Sequence, residues 1–381
     1  MEEKLFNINR RHFLRGSFAS LVLSTFGLYG FDLMNPTKRY RVGLIGTGWY
    51  GKSDLFRLMQ VTKIDVVCLC DVDEYQLKEA ADRIQNRQPG SKRPQLYKDY
   101  QTMLVQHELD IVLIGTPDHW HALQCIAAME SGAHVYLQKP ISVDVLEGEA
   151  VVAAANKMNK VVQVGLQRRN TPHLVEAKQN IVDAGLLGKI AHVELCCYYH
   201  MRSQANPSLQ EVPDHLDYEL WTGPAPLRPY DGLPHRGWWR AFMEYGNGIM
   251  GDMCVHMFDA TRWLLDLDWP NRISSQGGIY VQKVGKSNIS DTQTAVFEYD
   301  NLQCVWQHRS WGTPADPEYP WAFKIYGEHG TLAGSPMKYD FIPNSKGKKI
   351  HKDCLYERTQ FPEDLTEKDI ELHAAPATRL H

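Results

Sequence analysis

From Tyr40 to Gly165, short and nearly continuous apolar runs alternate with amphipathic stretches, a rhythm that predicts strands alternating with helices. The predicted strands are Tyr40–Ile45, Ile64–Cys70, Ile111–Ile114, His134–Leu137 and Val161–Gly165. Helices are predicted from the loop after Ile45 through Met59, over Gln76–Gln85, over Trp120–Ser131 with Gly132 as its stop, and over Val145–Met158. Strands this apolar are covered on both faces, so the pattern implies a doubly wound parallel sheet.

A different rhythm follows. Strands are predicted at Ala191–Tyr199, Ile279–Val284, Thr292–Tyr299, Gln303–His308 and Ala322–Tyr326, at short spacing and with few helices between them. One strong helix, Asp252–Leu265, interrupts them. This reads as an α+β domain with a largely antiparallel open sheet. The expected organisation is a leader over residues 1–36, a first domain over 37–163 and a second over 164–381, the last serving substrate binding and self-association.

The first strand runs into Gly46-Thr47-Gly48-Trp49-Tyr50-Gly51 and then a helix. A GxGxxG loop in that context is the fingerprint of an α/β Rossmann domain. Gly46 permits the tight turn, Gly48 lets the backbone approach a pyrophosphate, and Gly51 lets helix and strand pack closely. The helix N-terminus then offers free N–H groups to the phosphates. Asp71 ends the second strand, twenty positions after Gly51. A carboxylate there accepts from ribose hydroxyls and repels a 2′-phosphate, which favours NAD over NADP. Thr116, at the end of the third long strand, and Lys139, after the fourth, also fall at carboxyl ends, where such sheets bind ligands.

Composition narrows the partners. The net charge of −4 and the lack of a long basic run after the first forty residues argue against nucleic acid. The eight cysteines form no CxxC pair and mostly sit in apolar runs, so they read as buried thiols. Trp221, Trp238 and Trp239 offer flat faces to sugar rings, although core packing explains such residues equally well. At the N-terminus, Asn9-Arg10-Arg11-His12-Phe13-Leu14-Arg15 precedes an apolar stretch from Gly16 to Phe31, the pattern of a twin-arginine export signal. This predicts a periplasmic protein. No Ala-x-Ala site follows, so cleavage and retention as a membrane anchor both stay open.

Several motifs in order give the chain its resemblance. Gly46-x-Gly48-x-x-Gly51, Thr116-Pro117-Asp118-x-x-His121, Lys139-Pro140, Gly165-Leu166-Gln167-Arg168-Arg169 and Asp252-x-x-x-His256 together resemble the Gfo/Idh/MocA oxidoreductases. The resemblance runs from about Tyr40 to Leu332 and is nearest to exported bacterial members, through Trp221-x-Gly223-Pro224-Ala225-Pro226 and Trp306-x-His308-Arg309. It implies NAD as cofactor, held by Gly46, Thr47, Gly48, Trp49, Tyr50, Gly51, Asp71, Thr116, Pro117, His121, Gln138 and Lys139. It also implies catalytic roles for Lys139, His256 and Asp252. Lys139 would orient the reacting hydroxyl and stabilise negative charge on its oxygen. His256 would be the general base, with Asp252 one helical turn away on the same face. Arg168, Asp252, His256 and Trp239 would contact the substrate. His119, His121, Arg168 and His308 are second-tier candidates, and Arg168 and Arg169 could equally pair with acids. Each main role has a plainer rival: Asp252 as an N-cap, His256 as a core histidine, Lys139 as a loop lysine. An Asp–His pair at i, i+4 also suits a metal ion, but no third ligand has a telling spacing, so no metal is expected.

The chain departs from the family at Gln138, where a glutamate is usual. The resemblance further implies a homo-oligomer, dimer or tetramer, and a helix beyond His381, as though the chain were truncated. An exported enzyme meets little free NAD, which suggests a tightly held, recycled cofactor. Three readings follow: an oxidoreductase on a CH–OH group of a sugar, glycoside or polyol; a redox-neutral glycosidase working through a keto-sugar; and a silent NAD- or sugar-binding protein.

Overall fold

The computed structural model describes residues 38–199, 202 and 204–354. The leader expected over residues 1–36 and the chain end near His381 lie outside them. Strand β1 (Tyr40–Ile45) leads to α1 (Trp49–Val61), β2 (Ile64–Cys70), α2 (Glu74–Arg87), β3 (Gln95–Tyr97), α3 (Tyr100–Gln106) and β4 (Ile111–Ile114). Then come α4 (His121–Glu130), β5 (His134–Leu137), α5 (Val145–Met158) and β6 (Val162–Val164). These strands form one parallel sheet in the order β3-β2-β1-β4-β5-β6. The order reverses between β1 and β4, and a crevice opens there at the strand carboxyl ends.

Alternation along β1 builds a core on each face. Val42 and Leu44 pack with Leu55, Phe56 and Leu69, while Ile45 packs with Met103, Val112, Cys125 and Leu137. Asp73 starts α2 by accepting from the backbone N–H groups of Tyr75 and Gln76, and Asp144 starts α5 in the same way through Leu146. Such caps fix where each helix begins.

The second domain contains α6 (Pro172–Ala177), β7 (Ile190–Cys197), α7 (Tyr218–Thr222) and α8 (Val255–Leu264). Its sheet continues through β8 (Arg272–Gly278), β9 (Thr292–Glu298), β10 (Gln303–Arg309), β11 (Trp321–Gly327), β12 (Gly330–Gly334), β13 (Lys338–Pro343) and β14 (Ile350–Asp353). The order is β14-β13-β12-β11-β7-β10-β9-β8, antiparallel except for the β7–β10 pair. Helix α8 lays Met257, Ala260 and Leu264 against Leu195, Trp306 and Phe323 of the sheet.

Two expectations change. Ile279–Val284 is a loop, and the strand lies just before it at Arg272–Gly278. That strand is almost wholly exposed at the sheet edge, so backbone pairing with β9 forms it without an apolar face to announce it. Asp252 is not an N-cap. It sits inside a wide helical turn, Met250–Cys254, that runs directly into α8. Burial pushes the thiols of Cys68, Cys125 and Cys304 up to about 12, which leaves them inert.

Candidate functional site

A cleft of about 1010 Å³ runs along the carboxyl ends of the parallel strands and on to α8. At one end lies the glycine loop. Gly46 has φ +86°, and a Cβ there would sit 2.7 Å from the backbone of Gly115 and Thr116. A Cβ on Gly51 would come within 2.0 Å of the Gly46 carbonyl, so this contact sets how closely α1 approaches β1. A Cβ on Gly48 would meet nothing within 4 Å, because the space faces the cleft. The first turn of α1 has neither an acidic residue nor a side-chain cap. Its free N–H groups therefore face open space, which fits a pyrophosphate.

Asp71 closes this end. Its Oδ2 accepts from the Thr47 N–H (2.7 Å) and hydroxyl (3.0 Å), and its Oδ1 accepts from the Asp73 N–H (2.9 Å). Burial raises its pKa against those three bonds. Carboxylate oxygens carry about four acceptor positions, so one remains on Oδ1 for a ribose hydroxyl. The residues present thus fit NAD: an open phosphate seat, an uncapped helix end and a ribose acceptor.

A strap from the second domain crosses this end of the cleft. Asp73 and Leu216 form an antiparallel bridge, with the Glu74 N–H donating to His215 O (2.9 Å) and the Asp217 N–H to Val72 O (3.0 Å). Tyr75 stacks on His215 at 4.1 Å. The Trp221 carbonyl accepts from Trp120 Nε1 (3.1 Å) and lies 3.2 Å from His119 Nε2. Leu216, Tyr218, Trp221, Phe242 and Tyr245 give the strap its own apolar core.

The far end holds the ionisable groups. Lys139, after β5, reaches across the domain junction and donates to the Asp252 carboxylate (2.5 Å) and carbonyl (2.9 Å). Arg240 pairs with the same Asp252 oxygen at 3.0 Å. Burial works to raise the pKa of Asp252, but Arg240 and Lys139 outweigh it and hold the carboxyl below its usual value. His256 is buried, packs edge-on to Trp321 at 5.6 Å, and leaves Nδ1 without a hydrogen-bond partner. Burial, together with the charges of Lys139, Arg168 and Arg240, drives its pKa well below 6.5, so the imidazole is neutral. Asp118 lies behind them. Burial and the charge of Asp252 lift its pKa to about 7 against the pull of Arg240 and Lys139.

Gln138 donates from Nε2 to Asp54 Oδ2 on α1 at 2.6 Å. A glutamate at 138 would place two carboxylates at that distance, so the amide suits this chain and the negative charge sits one layer back. His121 has its ring nitrogens 2.6 Å from Pro140 O and 2.9 Å from Thr116 O, tying the two strand-end loops together.

Of the residues singled out from sequence, Gly46, Gly48, Trp49, Tyr50, Asp71, Thr116, Pro117, His121, Gln138, Lys139, Arg168, Trp239, Asp252 and His256 line one cleft. Thr47 acts through Asp71, and Gly51 sits beneath the loop. His308 is buried on β10, 2.7 Å from Cys197 O, and is not among the lining residues. Arg169 is taken up by Asp259 through two bonds. The sequence reading missed Arg240 and Trp321, gave Asp118 no role beyond its motif, and named Trp221 without the strap that carries it. Arg240 follows two tryptophans without a motif, and its role appears only where the chain folds back over Asp252. Among the described residues no group of three or more His, Cys, Asp or Glu side chains is placed to hold a metal ion.

A parallel sheet carrying a glycine loop, joined to an antiparallel-sheet domain that contributes the other wall of the cleft, defines a two-domain dinucleotide oxidoreductase. The chain belongs to the Gfo/Idh/MocA family: residues 40–166 match its NAD-binding Rossmann fold and residues 173–301 its C-terminal alpha/beta domain. A glycosyl hydrolase family 109 protein from Shewanella baltica is 29% identical, covering 52% of this chain and 48% of its own length. An alpha-N-acetylgalactosaminidase from Shewanella oneidensis is 27% identical over the same shares. The chain thus spans about half the length of the curated relatives it matches. Among solved structures, an Agrobacterium radiobacter oxidoreductase in complex with NAD+, L-tartaric acid and magnesium superposes with a TM-score of 0.63 at 16% identity, covering 90% of this chain and 86% of that one. A levoglucosan dehydrogenase in complex with NADH gives 0.62 at 18% identity, covering 84% and 81%. At these identities the likeness establishes the fold.

Proposed function

We propose that this protein is an NAD-dependent oxidoreductase that acts on a CH–OH group of a sugar, glycoside or polyol and keeps its cofactor through the catalytic cycle. The observation that carries this reading is the meeting of Lys139, from one domain, with Asp252 and His256 from the other, at the end of a cleft that begins at the glycine loop. NAD, when bound, supplies the hydride acceptor. Lys139 spends two of its three N–H donors on Asp252 and has one left for the substrate oxygen. As the C–H bond breaks, that ammonium stabilises negative charge on the oxygen. His256, held neutral by its burial and by its cationic neighbours, accepts the hydroxyl proton. Asp252 fixes Lys139 in place.

The strap supports retention of the cofactor. It pairs with the backbone directly after Asp71, which sets it beside the ribose-binding end of the cleft. The twin-arginine pattern over Arg10 and Arg11 supports export of the folded, loaded protein to the periplasm. The family resemblance supports a dimer or tetramer built on the second sheet, which sedimentation tests.

A redox-neutral glycosidase is the second reading, favoured by the names of the Shewanella relatives. There the same residues would serve the transient oxidation of a glycoside hydroxyl; elimination from the keto-sugar would expel the aglycone, water would add across the double bond left behind, and return of the hydride would restore the alcohol. One experiment separates the two. NAD-loaded protein is mixed with sugars and aryl glycosides in deuterated water. Accumulating NADH supports the dehydrogenase. Aglycone release without net NADH, with deuterium in the ring, supports the glycosidase. If neither occurs and Lys139→Ala alters only binding, both enzyme readings fail.

A further inference from the structure

We infer that the inner end of the cleft receives a carboxylate-bearing sugar, a uronic or aldonic acid or its glycoside, with Arg168 as the group that binds the carboxylate. This rests on the oxidoreductase reading and names its substrate class.

Arg168 lies in the helical turn Gln167–Asn170 after β6 and is only 3% exposed, yet it lines the cleft. Its Nε and Nη1 have no hydrogen-bond partner. Its guanidinium lies over the face of Trp321, 5.3 Å from the ring centroid. The adjacent Arg169 shows the alternative: its guanidinium is paired with the Asp259 carboxylate through two bonds, while Nε and Nη1 of Arg168 have no such acceptor. A buried guanidinium with idle donors is costly unless an acceptor arrives.

Local charge points the same way. Lys139 and Arg240 share one carboxylate, Asp252, and Arg168 adds a third positive charge. Asp118 is the next acid, and its pKa near 7 leaves it only partly ionised. His256 is neutral. The bound nicotinamide in its oxidised form would add more positive charge. Hydroxyl groups accept hydrogen bonds but compensate no charge; a carboxylate does both, and its plane matches a guanidinium.

The geometry fits one sugar. Trp321 contacts both Arg168 and His256, and its ring is anchored by donation from Nε1 to Met253 O at 3.2 Å. A sugar whose carboxylate sits on Arg168 therefore lies in the same part of the cleft as His256 and Lys139.

The test uses NAD-loaded protein and three matched series in gluco, galacto and manno configuration: methyl uronides, their uncharged uronamides and the parent methyl hexosides. Binding is read by tryptophan fluorescence and thermal shift, and turnover by cofactor reduction. At least one uronate should bind about 10- to 100-fold tighter than its amide, the range for a charge-assisted hydrogen bond. Added salt should narrow the gap, Arg168→Met should abolish it, and Arg168→Lys should keep part of it. Equal binding of acid, amide and hexoside in every series overturns the inference, as does a preference that survives Arg168→Met. If Arg168→Met does not fold, the acid–amide comparison in the unaltered protein decides alone. Oxidation of neutral sugars without acid preference sinks this inference and leaves the oxidoreductase reading standing. Arg168-dependent acid binding without cofactor reduction does the reverse.

Discussion

Replacing Asp252 with asparagine probes the electrostatic centre of the site. The side chain keeps its shape but loses the charge that Lys139 and Arg240 share at 2.5 and 3.0 Å. Asp252 is 4% exposed, so water cannot take over. Breaking a buried ion pair by removing one partner costs about 3–5 kcal/mol. One compensation is built in. The charge of Asp252 helps hold the pKa of Asp118 near 7, so removing it lets Asp118 ionise beside Arg240 and Lys139. Asp252→Asn should therefore fall at about 3 kcal/mol, the low end of that range, while Asp252→Asn with Asp118→Asn should cost more than the two changes summed. Lys139 also loses its anchor, and kcat should fall about 10²- to 10³-fold, as for other lost electrostatic contacts in active sites. NAD affinity should change little, because the glycine loop and Asp71 lie at the other end of the cleft. Denaturant unfolding, a double-mutant cycle, steady-state turnover and cofactor titration measure these four quantities. Unfolding within about 1 kcal/mol of the parent, with additive singles and unchanged turnover, would refute the reasoning.

Other expectations follow from the same geometry. Asp71→Ala should weaken NAD binding by about 10- to 100-fold, the loss expected for a hydrogen bond to a charged group, and narrow the preference over NADP; fluorescence titration with both cofactors checks this. Gly51→Ala would push a methyl to 2.0 Å from the Gly46 carbonyl, costing about 1–3 kcal/mol as overpacking does and abolishing cofactor retention. The depressed pKa of His256 means that the unfolded chain binds the proton first. Stability from this group is present above pH 6.5 and lost as pH falls toward its folded value, and His256→Gln should flatten that loss in melts across the acid range. Asp118 has the opposite sign: its raised pKa disfavours the folded state progressively from pH 3.8 to about 7, so Asp118→Asn should raise Tm at pH 8 more than at pH 5. Trp221→Ala removes the aromatic centre of the strap, and stopped-flow measurement should show faster NAD release with affinity for free sugar unchanged.

The first domain was legible because burial and periodicity coincide there. β1, β2, β4, β5 and α5 fall where the apolar runs placed them. The second sheet was half legible. β9, β10 and β11 alternate between a covered and an open face, but β8 and β14 are edge strands with exposed side chains, and pairing holds them without a pattern. The site divides in the same way. Gly46, Gly48 and Asp71 act through backbone geometry written into a local motif. Arg240 and Trp321 act through meetings between segments far apart in the chain, which no local spacing records. Gln138 looked like a lost charge from sequence alone, and Asp54, its partner on α1, appears only in three dimensions.

The central claim is that a carbinol hydrogen passes as hydride to a cofactor held between the glycine loop and the Lys139–Asp252–His256 cluster. A single-turnover experiment with NAD-loaded protein and a carbinol-deuterated sugar tests it most directly. The account predicts slower appearance of reduced nicotinamide than with the protiated sugar, and deuterium recovered in the cofactor. Deuterium that stays on the sugar or exchanges only with water, with the cofactor never reduced by any member of the panel, would contradict it.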